Sequence, residues 1–161
     1  MSEIKPIKRH EAIQPLSREH HNGLVFCWRI RSGLSKNVEI TRIKTYVDWF
    51  WANALHQHFV AEENYVFTVL DASDELLIRA LDEHRRLEAL VAQDTDLPQA
   101  MEDIANTLEG HIRFEERVLF NKIQDMATAE QLQSILAHHD HEVMCEAWPD
   151  EFWKGPGKEE M

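Results

Sequence analysis

HFVAEENYVF (residues 58–67) and HIRFEERVLF (residues 111–120) share one pattern, H-x-x-x-E-E-x-x-x-F. His58 and Glu62 are four residues apart, as are His111 and Glu115. On an α-helix that spacing places both side chains on one face, one turn apart. A single His-x-x-x-Glu pair is usually a solvated hydrogen bond or ion pair. Two copies, each beside strongly apolar residues (Phe59, Val60 and Phe67; Ile112, Phe114 and Phe120), are much harder to read that way.

The segments before each copy extend the repeat. REHH (residues 18–21) and DEHR (residues 82–85) align through Glu19-His20 and Glu83-His84. The chain then reads as two helix pairs, each an E-H helix followed by an H-x-x-x-E helix. In an antiparallel bundle the four helices can present one polar cluster inside an apolar core: His20, His58, Glu62, His84, His111 and Glu115. Buried without a ligand, unpaired groups of this kind cost several kcal/mol each. A divalent cation removes that cost. Imidazole with carboxylate and no thiolate suits iron, manganese or zinc. Two carboxylates suggest two ions, with each glutamate bridging both.

Apolar periodicity supplies the helices. A first helix is expected from about Leu16 or Ser17 to Gly33, with Leu16, Leu24, Cys27, Trp28 and Leu34 on its apolar side. A second covers about 38–70, carried by Ile40, Ile43, Val47, Phe50, Trp51, Ala54, Phe59, Val66 and Val69. Ser73 is a plausible N-cap for a third, to about Gln93, with Leu77, Ala80, Leu81, Leu87 and Leu90 inward. Pro98 near an N1 position opens a fourth, to about Met126, with Met101, Ile104, Leu108, Ile112, Val118, Leu119 and Ile123 inward. Thr128 and Gln131 form a capping-box pattern for a short fifth helix to about Cys145. No segment alternates like a strand between hairpin turns. Short connections favour antiparallel neighbours, so the expected fold is an all-α, up-down-up-down four-helix bundle with a short fifth helix. Residues 1–15 read as an N-terminal arm, 16–146 as the bundle with its fifth helix, and 147–161 as a C-terminal tail anchored by Trp148, Phe152 and Trp153.

Composition bounds the function. With 161 residues the chain can bury a real core. A formal net charge of −12 argues against nucleic acid and against an anionic membrane surface. Two cysteines, Cys27 and Cys145, are too few for a disulfide scaffold. No apolar leader or membrane span is evident, so a reducing cytoplasm is the simplest location. There is no H-E-x-x-H helix, no G-x-S-x-G elbow and no glycine-rich phosphate loop.

Four segments, LSREHHNGL, HFVAEENYVF, LDEHRRLEAL and HIRFEERVLF, resemble the hemerythrin-like, or HHE cation-binding, domains. They occur in order on four expected helices across residues 16–126. The resemblance implies a non-haem di-iron centre bridged by Glu62, Glu115 and an oxo or hydroxo group, with zinc or manganese as alternative metals. His20, His58, His84 and His111 would be its terminal ligands. His20 matches the repeat and lies nearer the apolar stripe, but His21, about 100° round the helix, stays an alternative. The oxygen-carrying members have a second histidine one turn after the third-helix histidine; here that position is Glu88, a third carboxylate ligand or a solvated residue. Glu63 and Glu116 rotate away from the ligand face and read as rim residues. His10 and His56 read as exposed. His138, His139 and His141 form a local cluster, more simply a solvated face than a second metal site.

At about six positions per iron, two are left for water or a small diatomic ligand once these groups are in place, or one if His21 or Glu88 also binds. The expected function is a protein that binds or senses O2 or a related small ligand such as peroxide, or handles iron under oxidative or nitrosative stress. A redox partner is optional and a dedicated catalytic role is not required. Two alternatives stand beside it: a di-iron enzyme acting on peroxide or nitric oxide or donating iron for repair, and a metal-free helical interaction module.

Overall fold

A computed structural model of the protein describes residues 8–138 and 147–154. Its secondary structure is helical, with no strand among the described residues. Four rods carry the bulk of the chain. The first is α1 (Gln14–Ser35). The second runs from α2 (Ile40–Phe50) through a π-helical turn (Trp51–Leu55) into α3 (His56–Ala61). A second π turn (Glu62–Val66) and a 3-10 turn (Phe67–Val69) finish it. The third rod is α4 (Glu75–Ala92). The fourth joins α5 (Leu97–Phe114) to α6 (Phe120–Met126) through a π turn (Glu115–Leu119). A shorter α7 (Ala129–His138) follows.

The helix ends follow from local chemistry, with some differences from expectation. α1 opens at Gln14, earlier than Leu16, because Pro15 sits in its first turn, where a missing N–H costs nothing. α4 is capped by Asp74, not Ser73. The Asp74 carboxylate accepts from the Leu76 amide at 2.9 Å, while Ser73 turns its hydroxyl to Asp71. The capping box of α7 forms as read: Gln131 N donates to Thr128 Oγ1 at 3.0 Å and Thr128 N to Gln131 Oε1 at 2.9 Å. Two residues expected on apolar faces point outward. Trp28 is 58% exposed and Val118 42% exposed. Trp28 follows Phe26 and Cys27, which already fill that face of α1. Val118 lies in a π turn that gives the inward place to Leu119 and Phe120.

The apolar core comes in two clusters. One gathers Phe26, Ile30, Ile43, Phe50, Leu87 and Leu108 with their neighbours; the other gathers Leu16, Phe67, Leu77, Phe114, Phe120 and Ile123 with theirs. Each rod contributes to both, and its histidine or glutamate falls between the two contributions. The polar residues therefore form a layer between apolar layers. α1 and α4 both pack on α5.

Beyond the four rods the described chain is tied down at both sides. Arg9 donates to the Glu116 backbone and to Asn121 at 2.9 and 3.1 Å. Phe152 and Trp153 are buried against α1, where Ser32 Oγ and Lys36 Nζ donate to the Trp153 carbonyl at 2.9 and 2.5 Å. Gly33 allows that docking: a Cβ there would lie 2.9 Å from two Phe152 ring carbons and 3.0 Å from Ile43 Cδ1. A helical Gly→Ala change ordinarily stabilises. At Gly33 it should instead lower the thermal midpoint, by overpacking worth about 1–3 kcal/mol, with the C-terminal segment becoming protease-sensitive. A raised midpoint would contradict the packing described. No described helix is long and apolar enough to cross a membrane.

Candidate metal centre

His20, His58, Glu62, His84, His111 and Glu115 meet in the polar layer, none more than 5% exposed. Each rod supplies its share through the helical spacing. The i,i+4 pairs put His58 Nε2 3.0 Å from Glu62 Oε2 and His111 Nε2 3.0 Å from Glu115 Oε2. α1 and α4 then bring one imidazole each from across the bundle. His20 Nε2 lies 2.9 Å from Glu115 Oε1, and His84 Nε2 lies 3.1 Å from Glu62 Oε1.

The two carboxylates are therefore split. Glu62 turns Oε2 to His58 and, at 3.9 Å, to His20; its Oε1 faces His84. Glu115 turns Oε1 to His20 and Oε2 to His111 and, at 3.9 Å, to His84. Ligand atoms converge in two groups, His20-His58-Glu62-Glu115 and Glu62-His84-His111-Glu115, each within 4.8 Å of one another. Nε2 of His84 and Nε2 of His111 face each other at 3.1 Å.

A second ring of carboxylates surrounds the first. The Nδ1 atom of each histidine meets one: His20 meets Glu116 at 2.6 Å, His58 meets Glu19 at 2.7 Å, His84 meets Glu63 at 2.6 Å and His111 meets Glu83 at 2.7 Å. Each partner adjoins an inner residue in sequence but serves a histidine on another rod. Glu19 and Glu83 precede His20 and His84; Glu63 and Glu116 follow Glu62 and Glu115. The pattern repeats across the two halves, so the sequence repeat becomes a pseudo-twofold site. Glu63 and Glu116 stand at the rim as expected. The roles of Glu19 and Glu83 were missed, although the E-H repeat carried them. With the outer carboxylate accepting from Nδ1–H, each imidazole is left to present Nε2 inward.

The π turns belong to this arrangement. Two of the three begin at Glu62 and Glu115 themselves. π turns inside helices are common at functional sites. These two widen the rod so that Glu62, Val66 and Phe67, and likewise Glu115, Leu119 and Phe120, are all buried. Phe120 stacks on His20 at 5.3 Å and Phe67 on His84 at 5.4 Å. Phe59, with no aromatic counterpart in the other half, stacks on His84 at 3.7 Å.

Burial would depress each imidazole pKa, but the carboxylates outweigh it. Glu62 and Glu19 push His58 up to about 10. Glu115, Glu62 and Glu63 push His84 to about 11, and Glu115 with Glu83 pushes His111 to about 9. Burial likewise opposes ionisation of Glu115, yet His111, His20 and His84 hold it well below the usual carboxylate range. Even so, His58 Nε2, both Glu62 oxygens and Glu115 Oε2 are buried without a hydrogen-bond partner among the described residues. Ligand atoms aimed at one another and left unpaired fit a site built for cations.

That chemistry agrees with the chain's relatives. The model of the hemerythrin HHE cation-binding domain matches residues 11–123. The chain belongs to this family. No curated protein and no solved structure matches it. In this HHE domain the six buried residues all lie inside the matched span, whereas Trp148, Phe152 and Trp153 lie beyond it.

Other histidines and candidates sort by burial. His21 is exposed, so the cluster takes His20. Glu88 is exposed and outside the cluster, because Leu87 holds the inward position on α4. His10 and His56 are exposed as read. His138 is exposed and stacks on Tyr65 at 4.1 Å; His139 and His141 lie outside the described residues, as does Cys145. Cys27 is buried and its thiol is pushed up to about 12, chiefly by burial, so it packs as a small apolar group.

A cavity adjoins the centre. It offers about 20 Å³ to the centre of a water-sized sphere and is lined by His20, His58, His111, Phe50, Leu108 and Ile112, among others. That holds about one water, or a ligand of two or three atoms, and no organic substrate. Gly23 keeps it open: a Cβ there would lie 2.8 Å from Ile112 Cδ1.

Proposed function

We propose that this HHE domain is a non-haem di-iron protein that binds or senses O2 or a related small ligand. One ion would be held by His20 and His58 and the other by His84 and His111, with Glu62 and Glu115 supplying carboxylate oxygens to both groups. The observation that carries the reading is the split of both buried carboxylates between the two imidazole pairs. A single-ion site has no use for it. The four rods alternate up and down in this reading, supported by the order in which each visits the two apolar clusters. When bound, a ferrous pair would supply reversible electron donation to a diatomic ligand. The chain's own contribution is to hold the imidazoles by their Nδ1 atoms, to keep two anionic carboxylates dry, and to leave ligand-sized space beside His20, His58 and His111.

Metal analysis with an optical spectrum tests it. Two irons per chain and a visible charge-transfer band after aerobic purification are expected, with the band lost under dithionite and restored by air. A colourless protein holding one zinc would sink the proposal. The outer carboxylates give a finer test. Glu83→Gln removes the charge that orients His111, and iron affinity should fall about 10- to 100-fold without a change in helix content by circular dichroism.

The enzymatic alternative draws on a different opening. His84 and Glu63 line a second pocket with Glu88, Arg85, His56 and Trp51, large enough for several waters. Sustained turnover of peroxide or nitric oxide with a reductant, weakened in Glu88→Gln, would favour it over stoichiometric binding.

A further inference from the structure

Beside the small metal-facing cavity lies a larger pocket with no assigned role. It offers about 160 Å³ to a water-sized sphere and is lined by Asn22, Val25, Arg29, Tyr46, Trp49, Phe50 and Ala147. Asn22 and Phe50 line both, so the two are separated by the thickness of those side chains.

Arg29 sets its chemistry. The guanidinium carbon lies over the Trp153 ring, 4.0 Å from its centroid, and Nη1 donates to Tyr46 Oη at 3.2 Å. It has no carboxylate partner among the described residues. Arg9, Arg31, Arg42, Arg79, Arg85 and Arg113 do pair with acids, in a chain of net charge −12. Stacking covers a guanidinium face and leaves its edge, with most of its five N–H donors, free. Among the described residues, no acidic residue lines the pocket. A second donor lacks an acceptor close by. Trp148 packs on Trp49 and Tyr46, two of the lining rings, at 4.9 and 5.9 Å, and its buried Nε1 has no hydrogen-bond partner among the described residues. The half-buried Arg29 guanidinium therefore faces a pocket that offers it no carboxylate among the described residues.

We propose that this outer pocket binds a small inorganic anion on Arg29, and that Asn22 and Phe50 form the wall through which such an anion reaches the metal-facing cavity. The first part stands on the pocket alone. The second rests on the di-iron reading given above. The guanidinium edge matches a planar monovalent oxyanion such as nitrite. Of the lining residues, Ala147 lies beyond the matched family span, and Arg29 with the rest lies inside it.

Nitrite titrated into the metal-free full-length chain, followed by isothermal calorimetry at constant ionic strength with chloride as control, tests the first part. Saturable binding is expected, weakened at least tenfold in Arg29→Gln and partly restored in Arg29→Lys. Absence of saturable binding, or equal affinity in wild type and Arg29→Gln with unchanged circular dichroism, overturns the site. Iron-loaded protein tests the second part by stopped flow. Arg29→Gln should slow azide or nitrite arrival at the metal severalfold and leave neutral nitric oxide arrival unchanged; equal slowing of both, or of neither, overturns the passage. A chain that takes no iron but binds nitrite through Arg29 would sink the di-iron reading and the passage, and leave the anion site standing.

Discussion

Glu115→Gln is expected to weaken iron at both positions together, whereas His84→Ala is expected to leave one ion per chain. The contrast follows from the shared carboxylate. Glu115 gives one oxygen to the His20 side and the other to the His111 side. His84 faces chiefly one carboxylate oxygen, Glu62 Oε1, on one side of the site. Removing one partner of a buried charge pair costs about 3–5 kcal/mol, or roughly two to four orders of magnitude in affinity. Applied to a bridging group, that loss falls on both ions. Applied to a terminal imidazole, it falls mainly on one, and His20-His58-Glu62-Glu115 remains intact. Iron per chain after gel filtration should drop from two to well under one in Glu115→Gln and to about one in His84→Ala. Equal stoichiometry in the two variants would refute bridging, even if iron were bound. Glu62→Gln should behave like Glu115→Gln, since the pseudo-twofold arrangement makes the glutamates equivalent.

Much of this was legible in the residues, and the reason is geometric. A histidine and a glutamate four apart must share a helix face, so each half-site is written locally. The duplication then told which helices to bring together. What could not be read was anything decided between rods. His20 and His21 are adjacent, and only packing against Phe120 buries the first and exposes the second. Glu88 follows His84 by the same four residues that separate His58 from Glu62. It nonetheless faces water, because Leu87 takes the inward place on α4. The outer carboxylates are contiguous with inner residues, but each serves a histidine on a different rod, a pairing that no intrahelical spacing encodes. The π turns were invisible for another reason. WANAL, EENYV and EERVL contain neither glycine nor proline, so nothing in them marks a departure from the α-helix. The site itself imposes the wider turn. Burying a glutamate, an aliphatic and a phenylalanine on one face needs one more residue per turn than an α-helix has.

Iron removal should cost the fold dearly, and the cost should grow with pH. Ligand that binds only the native state, held free at about a thousand times its dissociation constant, stabilises by about 4 kcal/mol. For a domain of this size each kcal/mol moves the thermal midpoint by about 2–4 °C, so chelation should lower it by about 8–16 °C. The pH dependence has a definite sign. In the metal-free chain His58, His84 and His111 are raised from their ordinary 6.5 to about 10, 11 and 9 by the carboxylates around them. A raised imidazole contributes its full stability below 6.5, and loses it progressively as pH climbs through the folded value. Glu115, held well below its ordinary 4.5, acts in the opposite sense: its contribution is present above 4.5 and fades as pH falls through its lowered value. The metal-free chain is therefore most stable at mildly acidic pH and weakens from pH 6.5 through 9. Iron demands neutral imidazoles, so its binding expels the protons that the metal-free site holds, and its affinity rises over the same interval. The gap between iron-loaded and metal-free midpoints, followed by calorimetry from pH 6 to 9, should widen steadily. A gap that stays constant or closes would mean that protons and metal do not compete for these three imidazoles.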